Sequence, residues 1–230
     1  MSKYQPKEAT TKAVGLITLT DPSSPITEQL RTIRTNIQFA SSSDRRLQTM
    51  VITSSGPGEG KSTTSANLAV VFAKSGQKVL LVDADLRKPT VFKTFQLNNA
   101  QGLSTVLSTT QSPLSAVQDS GIDNLSVLTS GPKPPNPSEL LGSMRMNQVI
   151  EELKSAYDMV IFDMPPVVNV TDAQIMASKV DGTLLVVRES MTNKEALTKA
   201  AELLNLVNAR ILGTVYNGAA QSKDRSYTYY

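Results

Sequence analysis

The chain has no cysteine and no histidine. Their absence removes thiol catalysis, iron–sulfur clusters, zinc sites of the usual kind and phosphohistidine chemistry together. Any metal must then be held by oxygen, which favours Mg²⁺. Aromatic residues make up only 5% of the sequence and no basic stripe is interleaved with them. With a formal net charge of +3, this composition excludes an argument for a nucleic-acid partner. No apolar stretch approaches the ~20 residues that span a bilayer, and the opening MSKYQPKEATTK lacks the apolar core of a signal peptide. A soluble, cytoplasmic chain is therefore expected. Its 230 residues suit one domain that buries about 70% of the unfolded surface.

What is present begins at Val51–Thr63, VITSSGPGEGKST, where a β-branched strand runs into a glycine-rich turn and a long helix. Gly56, Gly58 and Gly60 let successive backbone N–H groups turn inward around an anion, and the helix starting near Lys61 adds the positive end of its dipole. Lys61 would reach the β- and γ-phosphates and Ser62 would ligate Mg²⁺, with Glu59 and Thr63 flanking them in the nucleotide-binding set. The general pattern G-x-x-x-x-G-K-[ST] asks for glycine where this chain has Ser55.

Two more strand-plus-carboxylate segments follow. KVLLVDADLR ends in Asp83 and Asp85, and MVIFDMPP carries Asp163 after its apolar run. Neither run alternates, as expected for strands of a parallel sheet buried on both faces. Ligands sit beyond the carboxyl ends of such strands, so the three acids should converge on the phosphate loop. The bland alternative is that each merely caps the helix after it.

Along the rest of the chain the pattern is helical from Pro25 to about Phe39, with Leu30, Ile33 and Ile37 on one face and Glu28, Arg31 and Arg34 off it. SSSDRR at 41–46 reads as a loop. Strands are expected near Met50–Thr53, Val79–Val82, Leu125–Leu128, Met159–Phe162, Thr183–Val187 and Ile211–Val215. Helices are expected over Lys61–Lys74, Gly102–Ser108, Ser138–Ala156, Asp172–Ser178 and Asn193–Asn208, the last burying Leu197, Ala201 and Leu204. The GPKPPNPSEL connector at 131–140 fits either a stiff structural loop or a partner ligand. Alternation of this kind defines an α/β fold: a P-loop NTPase-like, doubly wound, mostly parallel sheet with helices on both faces.

SSGPGEGKST, VLLVDADLRKP, MVIFDMPP, the GPKPPNPSELL connector and a terminal tyrosine cluster together resemble the bacterial tyrosine autokinases of capsule and exopolysaccharide synthesis, from about Pro25 to Tyr230. The resemblance implies an ATP- and Mg²⁺-dependent kinase. Lys61, Asp83, Asp85 and Asp163 fall at its catalytic positions and Ser62 joins the three acids as metal ligands. Asp83 matches either the base that takes the phenol proton or a metal-shell ligand, and Asn217 either an adenine contact or a turn asparagine. Gly56 stands where related partitioning ATPases carry a second lysine, and Met164 stands where many relatives carry a small or hydroxylated residue before Pro165 and Pro166. Tyr227, Tyr229 and Tyr230 would be the autophosphorylation sites. Glu28, Arg31 and Arg34 would build a ring-like homo-oligomer, against the alternative of an exposed helix with one local ion pair.

The organisation so implied is a flexible segment over 1–24, a kinase domain over 25–218 that opens with an assembly helix at 25–40, and a mobile tail over 219–230. A separate membrane adaptor of the chain-length-regulator type, recruitment to the inner face of the cell membrane, and further protein substrates in polysaccharide synthesis follow from the same resemblance. The rival reading is a non-kinase ATPase switch of the partitioning or septum-site type.

Overall fold

The computed structural model describes residues 12–40 and 47–219. The loop expected at 41–46 and the tyrosines Tyr227, Tyr229 and Tyr230 lie outside the described residues. Seven strands form one sheet: β1 (Thr49–Ser54), β2 (Val79–Asp83), β3 (Gln118–Ile122), β4 (Leu125–Leu128), β5 (Met159–Asp163), β6 (Gly182–Arg188) and β7 (Ile211–Asn217). Their order is β3-β4-β2-β5-β1-β6-β7, and every pairing is parallel except β3 with β4. The chain leaves β1 toward β2, returns through β5, and crosses to the opposite side of β1 for β6. This reversal puts the crevice for a ligand at the carboxyl end of β1.

The apolar runs do not alternate because each face of the sheet has its own core. Met50, Ile52, Leu81, Ile161 and Leu184 pack toward the side that holds α2 (Pro25–Ala40) and α3 (Lys61–Lys74). Val51, Leu80, Val82, Phe162 and Leu185 face the opposite core, with Met146, Val149 and Leu153 of α7 (Met144–Ala156) and Ala200 and Leu204 of α9 (Lys194–Leu206). Every residue of α3 from Thr64 to Ala73 is buried, so this helix lies between the sheet and α2 rather than on the surface. That burial fixes the start of α3, and with it Lys61, against the sheet edge.

Several expectations are corrected. The helix expected over Ser138–Ala156 is two, α6 (Pro137–Gly142) and α7, because Ser143 adopts an extended backbone and its side chain accepts from the N–H of Met146. The edge strand β3 was not legible: QDSGI has no apolar run, and its residues are all exposed or half-exposed. Short helices α1 (Ile17–Thr20), α4 (Val91–Thr94), α5 (Leu103–Leu107) and α8 (Asp172–Ala177) complete the set, with a 3₁₀ turn at Pro113–Ala116. Of the segment expected to be flexible, Val14, Leu16, Ile17 and Leu19 instead pack against the core beside α3. Thr18 is buried and both its N–H and its hydroxyl donate to Asn67 Oδ1 on α3, at 3.2 and 2.9 Å. In α9 the buried line runs through Ala200 rather than Ala201.

Candidate active site

The loop that follows β1 is shaped for an anion. Gly58 and Gly60 have φ of 79° and 97°, the left-handed region that side chains resist. At Gly60 a Cβ would also lie 1.9 Å from Asn217 Nδ2. Gly60 is the N-cap of α3 and brings no capping side chain, so the first N–H groups of the helix remain available to a phosphate. Ser55 explains the missing first glycine. Its φ is not positive, it is buried, and its hydroxyl and N–H donate to Glu59 Oε1 and Oε2 at 2.7 and 2.9 Å. Here the first loop position needs a donor rather than left-handed freedom.

All three acids stand at strand ends beside this loop. Asp83 and Asp163 are register partners on β2 and β5 and both are fully buried. Lys61 Nζ donates to Asp85 Oδ2 at 3.0 Å, and Asp85 Oδ1 accepts from the N–H groups of Arg87 and Lys88. Asp83 Oδ2 accepts from the N–H groups of Thr90 and Val91, and Asp163 Oδ1 from the Ser65 hydroxyl at 3.0 Å. Asp83 Oδ1 and Asp163 Oδ2 are buried with no hydrogen-bond partner. A buried oxygen left open is costly unless a ligand meets it.

Burial, then the adjacent charge of Asp163, pushes Asp83 up to about 8. Asp163 is also raised, chiefly by burial, against the opposing pull of Lys61 and of the neighbouring Ser62 and Ser65 hydroxyls. For Lys61 burial works against the charge, yet Asp163 and Asp85 outweigh it and its pKa lies above the ordinary value. The site is thus an acidic pocket held by one ammonium group.

Among the described residues no three acidic groups come close enough to cage a metal by themselves. Asp85 is already occupied by Lys61 and two backbone N–H groups. The open oxygens of Asp83 and Asp163, with Ser62 beside them, suit Mg²⁺ all the same, because that ion takes one or two carboxylates and fills its shell from phosphate and water.

Three further placements matter. Glu59 is buried, and its carboxylate accepts from the N–H and hydroxyl of Ser55. Asn217, the last residue of β7, donates from Nδ2 to Glu59 O at 3.0 Å and also lines a cleft of about 500 Å³ with Thr63, Ile26, Ile33 and Val215. Met164 is fully buried behind Asp163. Glu28, Arg31 and Arg34 do not join the site. Arg31 pairs with Glu28 along α2, while Arg34 is half-buried, with an Nε that has no partner.

Sequence reasoning missed the network behind the second acidic segment. Arg87 forks onto Asp172, Nε to Oδ2 at 2.8 Å and Nη2 to Oδ1 at 3.0 Å, and Ser138 donates to Asp172 Oδ1 at 2.6 Å. This ties the Asp85 loop to the proline-rich connector and α8. The motif DADLR contained Arg87, but nothing in the spacing pointed to a partner 85 residues away.

A parallel sheet with this loop, lysine and acid set at its switch point defines a P-loop nucleotide-binding protein of the NTPase type. Residues 47–214 match the AAA domain family. The tyrosine-protein kinase YwqD of Bacillus subtilis (strain 168) is 54% identical over 216 residues, covering 94% of this chain and 91% of that one. The kinase domain of the Escherichia coli tyrosine kinase ETK superposes with a TM-score of 0.87 at 33% identity, over 97% of this chain and 87% of that one. The chimerical protein CapA2B2 gives 0.83 at 42%, over 90% and 92%. The chain belongs to the bacterial tyrosine-kinase family and is a protein-tyrosine kinase, which removes the reading of a non-kinase switch. Among the described residues no helix is long and apolar enough to cross a membrane.

Proposed function

We propose that this kinase transfers the γ-phosphoryl group of ATP to Tyr227, Tyr229 and Tyr230 of a neighbouring copy, and so regulates capsular or exopolysaccharide polymerisation and export. One observation carries the reading: Lys61 sits beside two buried acids that each offer an unpartnered oxygen at the mouth of an anion-binding loop. Phosphoryl transfer asks a protein for positioning and charge neutralisation more than for covalent chemistry. The loop N–H groups and Lys61 would bind the phosphates, and the cleft beside Asn217 would take the base. Ser62 and Asp163 would hold Mg²⁺, which when bound supplies positive charge to the phosphate oxygens. Asp83, with a pKa of about 8, exchanges its proton near neutral pH, the range required of a group that takes the phenol proton on Oδ1.

Arg34, half-buried beside Arg31 and Lys74 with an Nε that has no partner, supports an interface on α2 at which copies assemble into a ring. A membrane adaptor of the chain-length-regulator type would recruit the kinase to the inner membrane face, with other proteins of polysaccharide synthesis as further substrates. Phosphotyrosine mapping by mass spectrometry, after incubation with Mg²⁺ and ATP, tests the proposal. A Lys61→Met chain mixed with an active chain lacking residues 219–230 should become labelled on its own tail tyrosines. No label in that mixture excludes transfer between copies.

A further inference from the structure

An acid inside an anion-binding loop needs explaining. Glu59 immediately precedes Gly60 and Lys61, where a bound nucleotide's phosphates would lie, and a carboxylate facing them would repel them. Glu59 is nonetheless almost fully buried. Three donors hold it there: the N–H and hydroxyl of Ser55, and the Thr192 hydroxyl, which donates to Glu59 Oε1 at 2.6 Å.

Thr192 comes from the turn between β6 and α9, and that turn is built to deliver it. Ser190 takes a left-handed backbone, φ 59°, and the N–H groups of Met191 and Thr192 both return to the carbonyl of Arg188. The Arg188 N–H donates to Thr192 Oγ1 at 2.9 Å, so the hydroxyl's own proton is directed at Glu59. From the same turn Arg188 Nη1 donates to Gly58 O at 2.9 Å. The turn therefore grips the phosphate loop twice.

We propose that Thr192 and Ser55 are positioning residues for nucleotide binding, acting through Glu59: they hold its carboxylate away from the phosphates and keep the loop N–H groups turned inward. The inference rests on the nucleotide reading of the loop. Wild-type ATP binding, measured in the same titrations, tests that reading separately.

The experiment compares the ATP KM and kcat of Thr192→Val, Thr192→Ser and Ser55→Ala, each with Glu59 intact and as Glu59→Gln, alongside the thermal midpoint without nucleotide. A hydrogen bond to an ionised acceptor is worth about a tenfold effect or more. Thr192→Val should raise KM about tenfold with kcat little changed, as expected for lost binding common to ground and transition states. Thr192→Ser should behave as wild type. Adding Glu59→Gln to Thr192→Val should recover most of the loss, because a neutral amide no longer repels phosphate. A wild-type KM for Thr192→Val overturns the proposal, as does a raised KM that Glu59→Gln leaves in place, which would assign Thr192 to packing alone. If Thr192→Val does not fold, Ser55→Ala with and without Glu59→Gln gives the same comparison from the other donor. An unaltered KM there refutes the proposal equally.

Discussion

Replacing Lys61 by methionine separates its chemical role from its structural one. The side chains of Lys61 and Asp85 are only 13% and 5% exposed and meet at 3.0 Å, and Asp163 and Asp83 also act on the same ammonium. From the sequence the variant would be expected to lose phosphotransfer and keep its stability, on the view that the lysine touches only ligand. The structure changes that expectation. Removing one partner of a buried pair leaves the other uncompensated and costs about 3–5 kcal/mol. Part of that cost is already absorbed, because an Asp83 with a pKa of about 8 is on the order of nine-tenths protonated at pH 7 and adds little charge to be neutralised. The loss therefore falls on Asp163 and Asp85, at about 3 kcal/mol. For a chain of this size ~1 kcal/mol moves the melting midpoint by about 2–4 °C, so the ligand-free variant should melt about 6–12 °C lower. Phosphotransfer should fall about 10²–10³-fold, as when one charge-stabilising donor is lost. The double variant Lys61→Met with Asp85→Asn should regain part of the stability and none of the activity, because Asp163 stays uncompensated. Circular-dichroism melts and phosphate incorporation from ATP measure both. A single variant that melts with the wild type would refute the energetic argument, and one that still transfers phosphate would remove Lys61 from the mechanism.

The remaining predictions concern the same few residues. Because the folded protein raises the Asp83 pKa from 3.8 to about 8, the native state holds a proton that the unfolded chain has lost between those values. Ligand-free stability should accordingly fall as pH rises from about 4 to about 8; urea midpoints at pH 5.5 and 8 should show this, and Asp83→Asn should flatten the difference. If Asp83→Asn instead costs Mg²⁺ affinity with little change in the chemical step, the acid belongs to the metal shell. Gly60→Ala should weaken ATP binding at least tenfold, and adding Asn217→Ala should restore only part, since the clash goes but a φ of 97° still costs about 1–3 kcal/mol. Isothermal titration of both variants decides it. Arg87→Ala should destabilise by about 2–3 kcal/mol in urea by leaving the buried Asp172 with Ser138 alone, and Asp172→Asn in the same chain should recover about half.

Much of this protein is legible from local order in the chain. The run VLLV at 79–82, apolar at every position, can only be a strand covered on both faces, and Gly60-Lys61-Ser62 after a β-branched run can only open a helix toward an anion. Helix bounds such as Lys61–Lys74 follow because propensity, glycine stops and tertiary burial agree there. The antiparallel edge β3 escaped because its pairing depends on β4 and its own residues carry no pattern. What only the tertiary structure decided concerns pairs far apart in sequence. That Asp83 is buried beside Asp163 follows from β2 pairing with β5, and with that burial the raised pKa; that Asp85 meets Lys61 depends on a fold that also brings the Arg87 and Lys88 N–H groups to its other oxygen, which no spacing reveals. Glu59 is the sharpest case. Its position in the loop placed it in the nucleotide-binding set, and its carboxylate is held by the hydroxyl of Thr192, 133 residues away, and by Ser55, because a side chain's direction is set by the donors that reach it in three dimensions.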